Sequence, residues 1–376
     1  MTDESSIKLL PPSFSPWRPQ KLRSKQIAVL MSGGVDSSLT AHLLKESGWD
    51  VLGVTMKVPV SCNAGTRGCC GADAAFVCNE MGISHYFIDV TETFEKLIIE
   101  RFHSAYARGE TPNPCVDCNT FLKFSLVWDF LKRTFGIDFL ATGHYARVIK
   151  AGGKVQLCRA EDKTKDQSYF LYGISSARFS RLVLPLGELT KGEVRSAAGQ
   201  LNLSVAERAE SMELCFASGA DYRIALPEGA HRPGAITDME GNVIGTHKGI
   251  VNYTLGQRKG IGYAGGRPLY VGRIDAKTNR IALGTRAEVS TQIIRAEEMK
   301  VLVGEAVGVG AQVLGKIRSY GEPQPCRIIN LFKSKMTVEF DQPQFAPCAG
   351  QKLVLYNENE VLVGGGTICA DDCGRA

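Results

Sequence analysis

The hydrophobic and polar positions of this chain change rhythm partway along, and the change divides it. Ile27-Ala28-Val29-Leu30-Met31 is an unbroken apolar run of strand length, the pattern of a parallel strand buried on both faces. The next segment, Ser37 to Ser47, carries Leu39, Leu43 and Leu44 on one face, with Gly48 just past its end, and reads as a helix. The pairing repeats. Asp50 to Met56 reads as a strand, residues 71–82 as a helix and His85 to Val90 as a third strand. Thr91 to Arg108 and Asn119 to Thr134 are helical by period, and Phe139 to Thr142 is a strand that runs out at Gly143-His144. A capping box, Thr190 with Glu193 three residues on, starts another helix. Alternation of this kind predicts an α/β domain with a doubly wound parallel sheet that takes ligands at the carboxyl ends of its strands.

From about residue 225 short β runs separated by glycines take over. They include Gly249 to Tyr253, Leu269 to Gly272, Arg280 to Leu283, Met336 to Phe340 and Lys352 to Tyr356. This texture predicts a small β-rich middle domain over 225–296 and a C-terminal β-barrel over 297–376, after an α/β domain over 25–224. Residues 1–24 hold Pro11, Pro12, Pro16 and Pro19 and the start of the basic trio Lys21, Arg23 and Lys25, without an apolar signal core. They read as a disordered lead-in, and the chain as cytoplasmic.

Composition narrows the function less than the pattern does. The 376 residues suffice for two or three domains, and a net charge of +5 permits a polyanionic partner without demanding one. No apolar run approaches the roughly 18 residues of a membrane span, so no membrane partner is expected. Twelve cysteines are many. In a chain this long they point to metal ligands, catalytic thiols or core residues rather than a disulfide scaffold.

Two dense motifs carry the candidate chemistry. Ser32-Gly33-Gly34-Val35-Asp36-Ser37-Ser38 lies on the turn from the first strand to the first helix. Glycines there let the backbone approach an anion, to which the helix-start amides and the Ser37 and Ser38 hydroxyls are expected to donate. The Gly-Lys-Ser/Thr ending of a Walker A loop is absent, so no lysine of the loop itself reaches a terminal phosphate. The string resembles the pyrophosphate loop of ATP-pyrophosphatases, which split ATP between its α and β phosphates. The second motif, Thr111-Pro112-Asn113-Pro114-Cys115-Val116-Asp117-Cys118-Asn119, delivers two cysteines to the start of a helix, where the macrodipole favours thiolate. A third cysteine, Cys215, stands in Met212-Glu213-Leu214-Cys215-Phe216.

Together with ATGHYAR at 141–147, KDQSYFL at 165–171 and YTLGQRKGIG at 253–262, these blocks resemble the tRNA-specific 2-thiouridylases (MnmA/TrmU type) over residues 26–368. The resemblance implies ATP-dependent adenylation of the C2 oxygen of the tRNA wobble uridine, followed by its replacement with sulfur and release of AMP. It implies ATP contacts at Leu30, Met31, Ser32, Gly33, Gly34, Val35, Asp36 and Ser37, with Met56 and Gly143. Asp36 is expected to help place Mg²⁺ or the phosphates. Cys118 matches the first active cysteine and Cys215 the persulfide carrier. Asn113, Pro114 and Cys115 match a segment near the target base. Lys165, Asp166 and Gln167, with Arg318 and Ser319, match tRNA contacts. The implied sulfur donor is a cysteine desulfurase, a sulfur relay protein or free sulfide.

One departure matters. Well-known members carry aspartate, a proposed general base, where this chain has Cys115. The change creates Cys-x-x-Cys plus Cys215. Three thiolates can hold a 4Fe-4S cluster with one iron open, and the missing fourth ligand favours this over zinc. A persulfide mechanism without a cluster stays open, and Asp117 is a second, weaker candidate for the displaced base.

Other candidates have blander readings. Cys62, Cys69 and Cys70 read as loop thiols, Cys78, Cys158, Cys326 and Cys348 as core, and Cys369 and Cys373 as free thiols of the tail. His144 reads equally as a structural hydrogen-bonding group, and Gln257-Arg258-Lys259 as a phosphate contact or a solvated charge run. The rival functions are an ATP-pyrophosphatase that forms a C–N bond and a non-catalytic, cysteine-rich RNA-binding module. The first needs no cysteine pair and the second no pyrophosphate loop.

Overall fold

A computed structural model describes residues 6–10, 25–59, 71–207, 214–216, 231–263 and 265–369. It divides into two compact units: Met1–Ile98 with Cys115–Ala220, and Ile99–Pro114 with Asp221–Ala376. Residues 99–114 are grouped with the second unit by their contacts.

In the first unit, β1 (Lys8–Leu9) precedes β2 (Gln26–Leu30), α1 (Val35–Glu46), β3 (Asp50–Lys57), α2 (Ala72–Glu80) and β4 (Ser84–Asp89). Helix α3 then runs through Thr91–Phe94, a π-helical stretch Glu95–Ile99 and Glu100–Ala107, leaving the first unit at Ile99. Helix α4 is built likewise from Pro114–Asp117, a π-helical stretch Cys118–Val127 and Trp128–Phe135. It starts five residues before the period predicts, because Pro114 is suited to a first helical turn. Strand β5 (Phe139–Ala141), the hairpin β6 (Ala146–Ala151) and β7 (Lys154–Arg159), β8 (Leu182–Val183) and α5 (Lys191–Gln200) complete the unit.

The main sheet has the order β1-β4-β3-β2-β5-β8. All its pairings are parallel except β1 against β4. Ile27, Ala28 and Val29 of β2 are wholly buried, as an all-apolar central strand requires. Chain order reverses at β2, with β3 on one side and β5 on the other, so the crevice beyond Leu30 is a topological switch point. The lead-in expectation needs a correction at residues 6–10. There Lys8 and Leu9 pair with Asp89 and Ile88, and Ile7 is buried. One apolar side chain and a free sheet edge suffice to hold them. The rest of 1–24 lies outside the described residues, apart from this segment.

The second unit holds a four-stranded sheet and a barrel. Strands β9 (Gly234–Asp238), β10 (Val243–His247), β11 (Tyr270–Asp275) and β12 (Arg280–Gly284) take the order β10-β9-β12-β11. The expected strand at 249–253 is instead a 3₁₀ turn, Ile250–Asn252, which buries Ile250, Val251 and Tyr253 in the core of this sheet. An apolar run alone cannot distinguish the two. Strands β13 (Ser290–Val301), β14 (Gln312–Lys316), β15 (Gln324–Phe332), β16 (Lys335–Phe345), β17 (Lys352–Tyr356) and β18 (Leu362–Ile368) close into an antiparallel barrel. Its core includes Ile294, Cys326, Val338, Phe340 and Leu353. No described helix is long and apolar enough to cross a membrane.

Candidate functional site

The glycine loop occupies the switch point. Gly33 has φ +75°, which favours glycine, and an added Cβ would stand 3.1 Å from the Ala74 nitrogen and from Asp73 Cβ at the start of α2. Gly34 is the extended residue before α1, and no side chain caps that helix start. The expected hydroxyl donors point elsewhere. Ser37 and Ser38 both donate to the Gly34 carbonyl, at 3.1 and 3.0 Å, and Ser38 is wholly buried. Their hydrogen bonds shape the loop, as do those from Ser32 N to Ser37 Oγ at 3.2 Å and from Gly34 N to Ser32 Oγ at 3.4 Å. Ser32 is exposed and its Oγ lies 3.2 Å from that of Ser37.

The other predicted nucleotide residues reach the same edge. Met56 lies near the carboxyl end of β3 and Gly143 just past that of β5, both parallel to β2. Gly143 is forced by proximity: a Cβ there would lie 2.8 Å from the Asp36 carbonyl carbon and 2.9 Å from the Ser37 nitrogen. Asp36 is held by two donors, Tyr145 Oη at 2.8 Å and Lys191 Nζ at 2.6 Å. Tyr145 and Lys191 went unmarked in the sequence, since only folding brings residue 191 to the loop. A carboxylate at the head of the loop is a donor of the kind Mg²⁺ takes, since that ion commonly binds one or two protein carboxylates and fills its shell with phosphate and water.

The cysteines gather in the same unit. Cys115 lies exposed in the first turn of α4, Cys118 is buried where the π-helical stretch begins, and Cys215 is exposed in a turn. Nearby thiols add to the cost of ionising two of them: Cys215 raises Cys115, and both raise Cys118. Lys123, one turn on from Cys118, pulls all three down. Desolvation nevertheless wins at each and pushes Cys118 up to about 12, so the helix start does not by itself give thiolates. That corrects the expectation drawn from the macrodipole. Among the described residues, no three His, Cys, Asp or Glu side chains are arranged to hold a metal ion. The donor set has the softness a 4Fe-4S cluster needs, but its geometry is not preformed. Asp117 is buried on the same turn.

Asn119 and His144 line this neighbourhood. Asn119 Nδ2 donates to the Phe170 carbonyl at 3.1 Å and lies 3.5 Å from His144 Nε2. A carbonyl can only accept, which fixes the amide orientation and leaves the buried Asn119 Oδ1 without a partner. His144 Nδ1 lies 2.8 Å from Thr142 Oγ1. Burial and Lys123 lower His144 to about 3, so it is neutral at physiological pH.

The expected tRNA-contacting residues fare unevenly. Asp166 is buried in a structural knot, accepting from Ala160 N, Ser168 N, Ser168 Oγ and Arg159 Nε at 3.0–3.2 Å. Gln167 Oε1 accepts from Tyr145 N at 3.0 Å and thereby sets Tyr145 in place. Lys165 is half-buried. In the second unit, Asn113 donates to Gln351 Oε1 at 3.4 Å, and Gln351 donates in turn to the Thr111 and Pro112 carbonyls. Pro114 is buried. Arg318 donates to the Phe345 and Ala346 carbonyls, and Ser319 is half-buried. Cys78, Cys158, Cys326 and Cys348 are core residues and Cys369 is half-buried, while Cys62, Cys69, Cys70 and Cys373 lie outside the described residues. Arg258 and Lys259 are exposed.

Three family models match in order: a tRNA methyl transferase HUP domain over residues 25–219, a tRNA methyl transferase PRC-barrel domain over 227–285, and an aminomethyltransferase beta-barrel domain over 291–368. Curated relatives match nearly end to end. A tRNA-specific 2-thiouridylase MnmA of Carboxydothermus hydrogenoformans is 41% identical over 92% of this chain and 97% of its own length. That of Pelobacter propionicus is 43% identical over 92% and 98%. Solved structures are more distant. The U34-tRNA thiolase NcsA of Methanococcus maripaludis, determined with its 4Fe-4S cluster, is 20% identical over 52% of this chain and 64% of its own, with a TM-score of 0.32. That likeness bears on neither function nor cofactor. The end-to-end identity to the curated relatives does bear on family, and by it the chain belongs to the MnmA family of tRNA-specific 2-thiouridylases.

Proposed function

We propose that this protein is a tRNA-uridine 2-sulfurtransferase that activates the wobble uridine with ATP and replaces its C2 oxygen with sulfur. The supporting observation is the coexistence, in one compact unit, of a glycine loop at the switch point and three cysteines, Cys115, Cys118 and Cys215. In the first step the uridine O2 attacks the α-phosphorus. The O2–P bond forms, the bond to the bridging oxygen breaks, and pyrophosphate leaves with the electron pair. Leu30, Met31, Ser32, Gly33, Gly34, Val35, Asp36, Ser37, Met56 and Gly143 form the ATP site. Asp36 would hold Mg²⁺, which supplies charge neutralisation when bound.

The second step adds sulfur at C2 and expels AMP. Delivery from a Cys215 persulfide leaves that sulfur needing two electrons. Cys118 provides them by attacking the inner sulfur, which closes a Cys118–Cys215 disulfide for an external thiol to reduce. The persulfide donor is a desulfurase or relay protein. Lys123 is the cation nearest the developing thiolates, and the unpartnered Asn119 Oδ1 can accept the uracil N3–H. The second reading, a 4Fe-4S cluster on Cys115, Cys118 and Cys215, is favoured by the soft three-thiol donor set and by the influence of Cys215 on both helix-start thiols, and requires Cys215 to move onto the helix start. Asn113, Pro114, Lys165, Arg318 and Ser319 are retained as tRNA contacts, whereas Asp166 and Gln167 act by holding their turn.

The test is tRNA-dependent AMP release and 2-thiouridine yield under anaerobic conditions, with iron content. Cys118→Ala should still release pyrophosphate and AMP but fail to complete thiolation, whereas Cys215→Ala should still release pyrophosphate and lose both AMP release and thiolation. An iron-free, active wild type with active Cys115→Ala selects the persulfide. About four irons per chain, lost with any of the three cysteines, selects the cluster. Absence of AMP in the wild type overturns the function itself.

A further inference from the structure

The glycine loop lacks a lysine, yet the folded protein brings one to it. Lys45, the first lysine after the loop, is committed to the Met81 carbonyl at the far end of α1. Lys191, 155 residues beyond Asp36, sets its ammonium 2.6 Å from Asp36 Oδ1 in the first turn of α1. We propose that Lys191 is a catalytic residue of the ATP half-reaction, the cation that binds the pyrophosphate as it departs. This rests on the ATP-dependent reading above and names a residue for it.

Several features aim this side chain. Its backbone N–H donates to Asp162 Oδ2 at 3.0 Å. It is the first residue of α5, behind a complete capping box in which Thr190 and Glu193 bond reciprocally. Its Nζ lies 5.5 Å from the centre of the Tyr145 ring, and Tyr145 donates to the same Asp36 oxygen. The Lys191 side chain is only 10% exposed, whereas that of Asp36 is 32% exposed. The pair is therefore closed on the lysine side and open on the side of the uncapped helix start. A buried ammonium is costly to place and gains little as a mere staple. At an anion site it has a further use. A triphosphate arriving beside Asp36 meets a carboxylate, and Lys191 is the charge that offsets both. As the α-phosphorus bond to the bridging oxygen breaks, negative charge grows on the pyrophosphate, and a cation already desolvated and oriented stabilises it without reorganisation. Lys191 remains protonated throughout, so no proton or electron is unaccounted for.

The test compares wild type, Lys191→Met and Lys191→Arg. It measures tRNA-dependent AMP release, calorimetric affinity for inorganic pyrophosphate and for AMP, and tRNA affinity as a control for folding. Lys191→Met should lower kcat for AMP release by about 100-fold. It should weaken pyrophosphate binding at least about tenfold relative to AMP binding and leave tRNA affinity unchanged. Lys191→Arg should recover part of both losses. If Lys191→Met binds pyrophosphate and AMP in the wild-type ratio, Lys191 only staples α5 to α1 and the proposal is overturned, whatever happens to activity. A wild type that forms no AMP overturns the ATP reading instead.

Discussion

Buried thiols and imidazoles here are governed by desolvation more than by the charges near them. Cys118 and His144 sit in the same neighbourhood, and burial forces both toward their neutral forms, the thiol up to about 12 and the imidazole down to about 3. His85 behaves likewise. It is wholly buried, 2.8 Å from Thr55 Oγ1, and lowered to about 4. The sign of the pH effect follows. Both histidines have folded values below the ordinary 6.5, so below 6.5 the unfolded chain binds more protons than the folded one. Their contribution is complete above pH 6.5 and is lost as pH falls toward 4 and then 3. Thermal melts between pH 7.5 and 4 should show the melting temperature falling through that window. His144→Asn, which keeps a polar group toward Thr142, should fall less steeply than wild type. Parallel curves for the two proteins would mean that His144 is not held neutral by the fold. These residues also mark the limit of sequence reading. His144 was visible as a motif residue, but whether it ionises depends on what packs over it.

At the scale of elements, most of the parallel sheet was legible because a strand buried on both faces leaves an uninterrupted apolar run, and β2 and β3 are such runs. The glycine loop was legible for the same reason, being punctuation between two clear periods. Helix α4 was not, at its start. The two prolines of Thr111–Pro114 signal an extended chain, and only Pro114 turns out to begin the helix. That shift places Cys115 and Cys118 within α4 and puts Cys118 at the head of a π-helical stretch, whose extra residue per turn re-aims the side chains that follow. Capping is the element-scale feature best read in advance, and it bears on Lys191 directly. Thr190→Ala removes one half of the capping box and should cost about 1 kcal/mol in denaturant unfolding. Because Lys191 is the next residue, the same substitution should also lower kcat for AMP release more than it raises the KM for ATP, by loosening the start of α5. A stability loss with an unchanged kcat would separate the cap from the site.

At the scale of the whole molecule, the two units carry different chemistry. The first holds the loop, the thiols and Lys191. The second presents an exposed turn between β15 and β16, where Lys333 lies 5.4 Å from the ring of exposed Phe332 and Lys335 pairs with Phe332, and Tyr320, before the other end of β15, is 89% exposed. Aromatic faces next to cations are the means by which proteins hold single-stranded or looped RNA. Deleting the barrel is a poor way to ask whether it binds tRNA. Thr111 N donates to the Ala349 carbonyl, Gln351 clamps Thr111 and Pro112, and the Tyr270 and Phe345 rings meet edge to face at 5.1 Å, so a cut near residue 297 would unmake the second unit. Charge reversal at exposed positions avoids this. Each phosphate contact releases counterions, so the logarithm of tRNA affinity should fall linearly with the logarithm of salt concentration. The double variant Lys333→Glu, Lys335→Glu should bind more weakly at low salt and with a slope shallower by about one unit per lost contact. The Phe332→Ala variant should weaken binding by a similar amount at every salt concentration, since stacking releases no ions. Equilibrium binding of unmodified tRNA across a salt series measures both. If the charge-reversed protein keeps the wild-type slope, this edge of the barrel is solvated surface, and exposed Arg258 and Lys259 are the next positions to test.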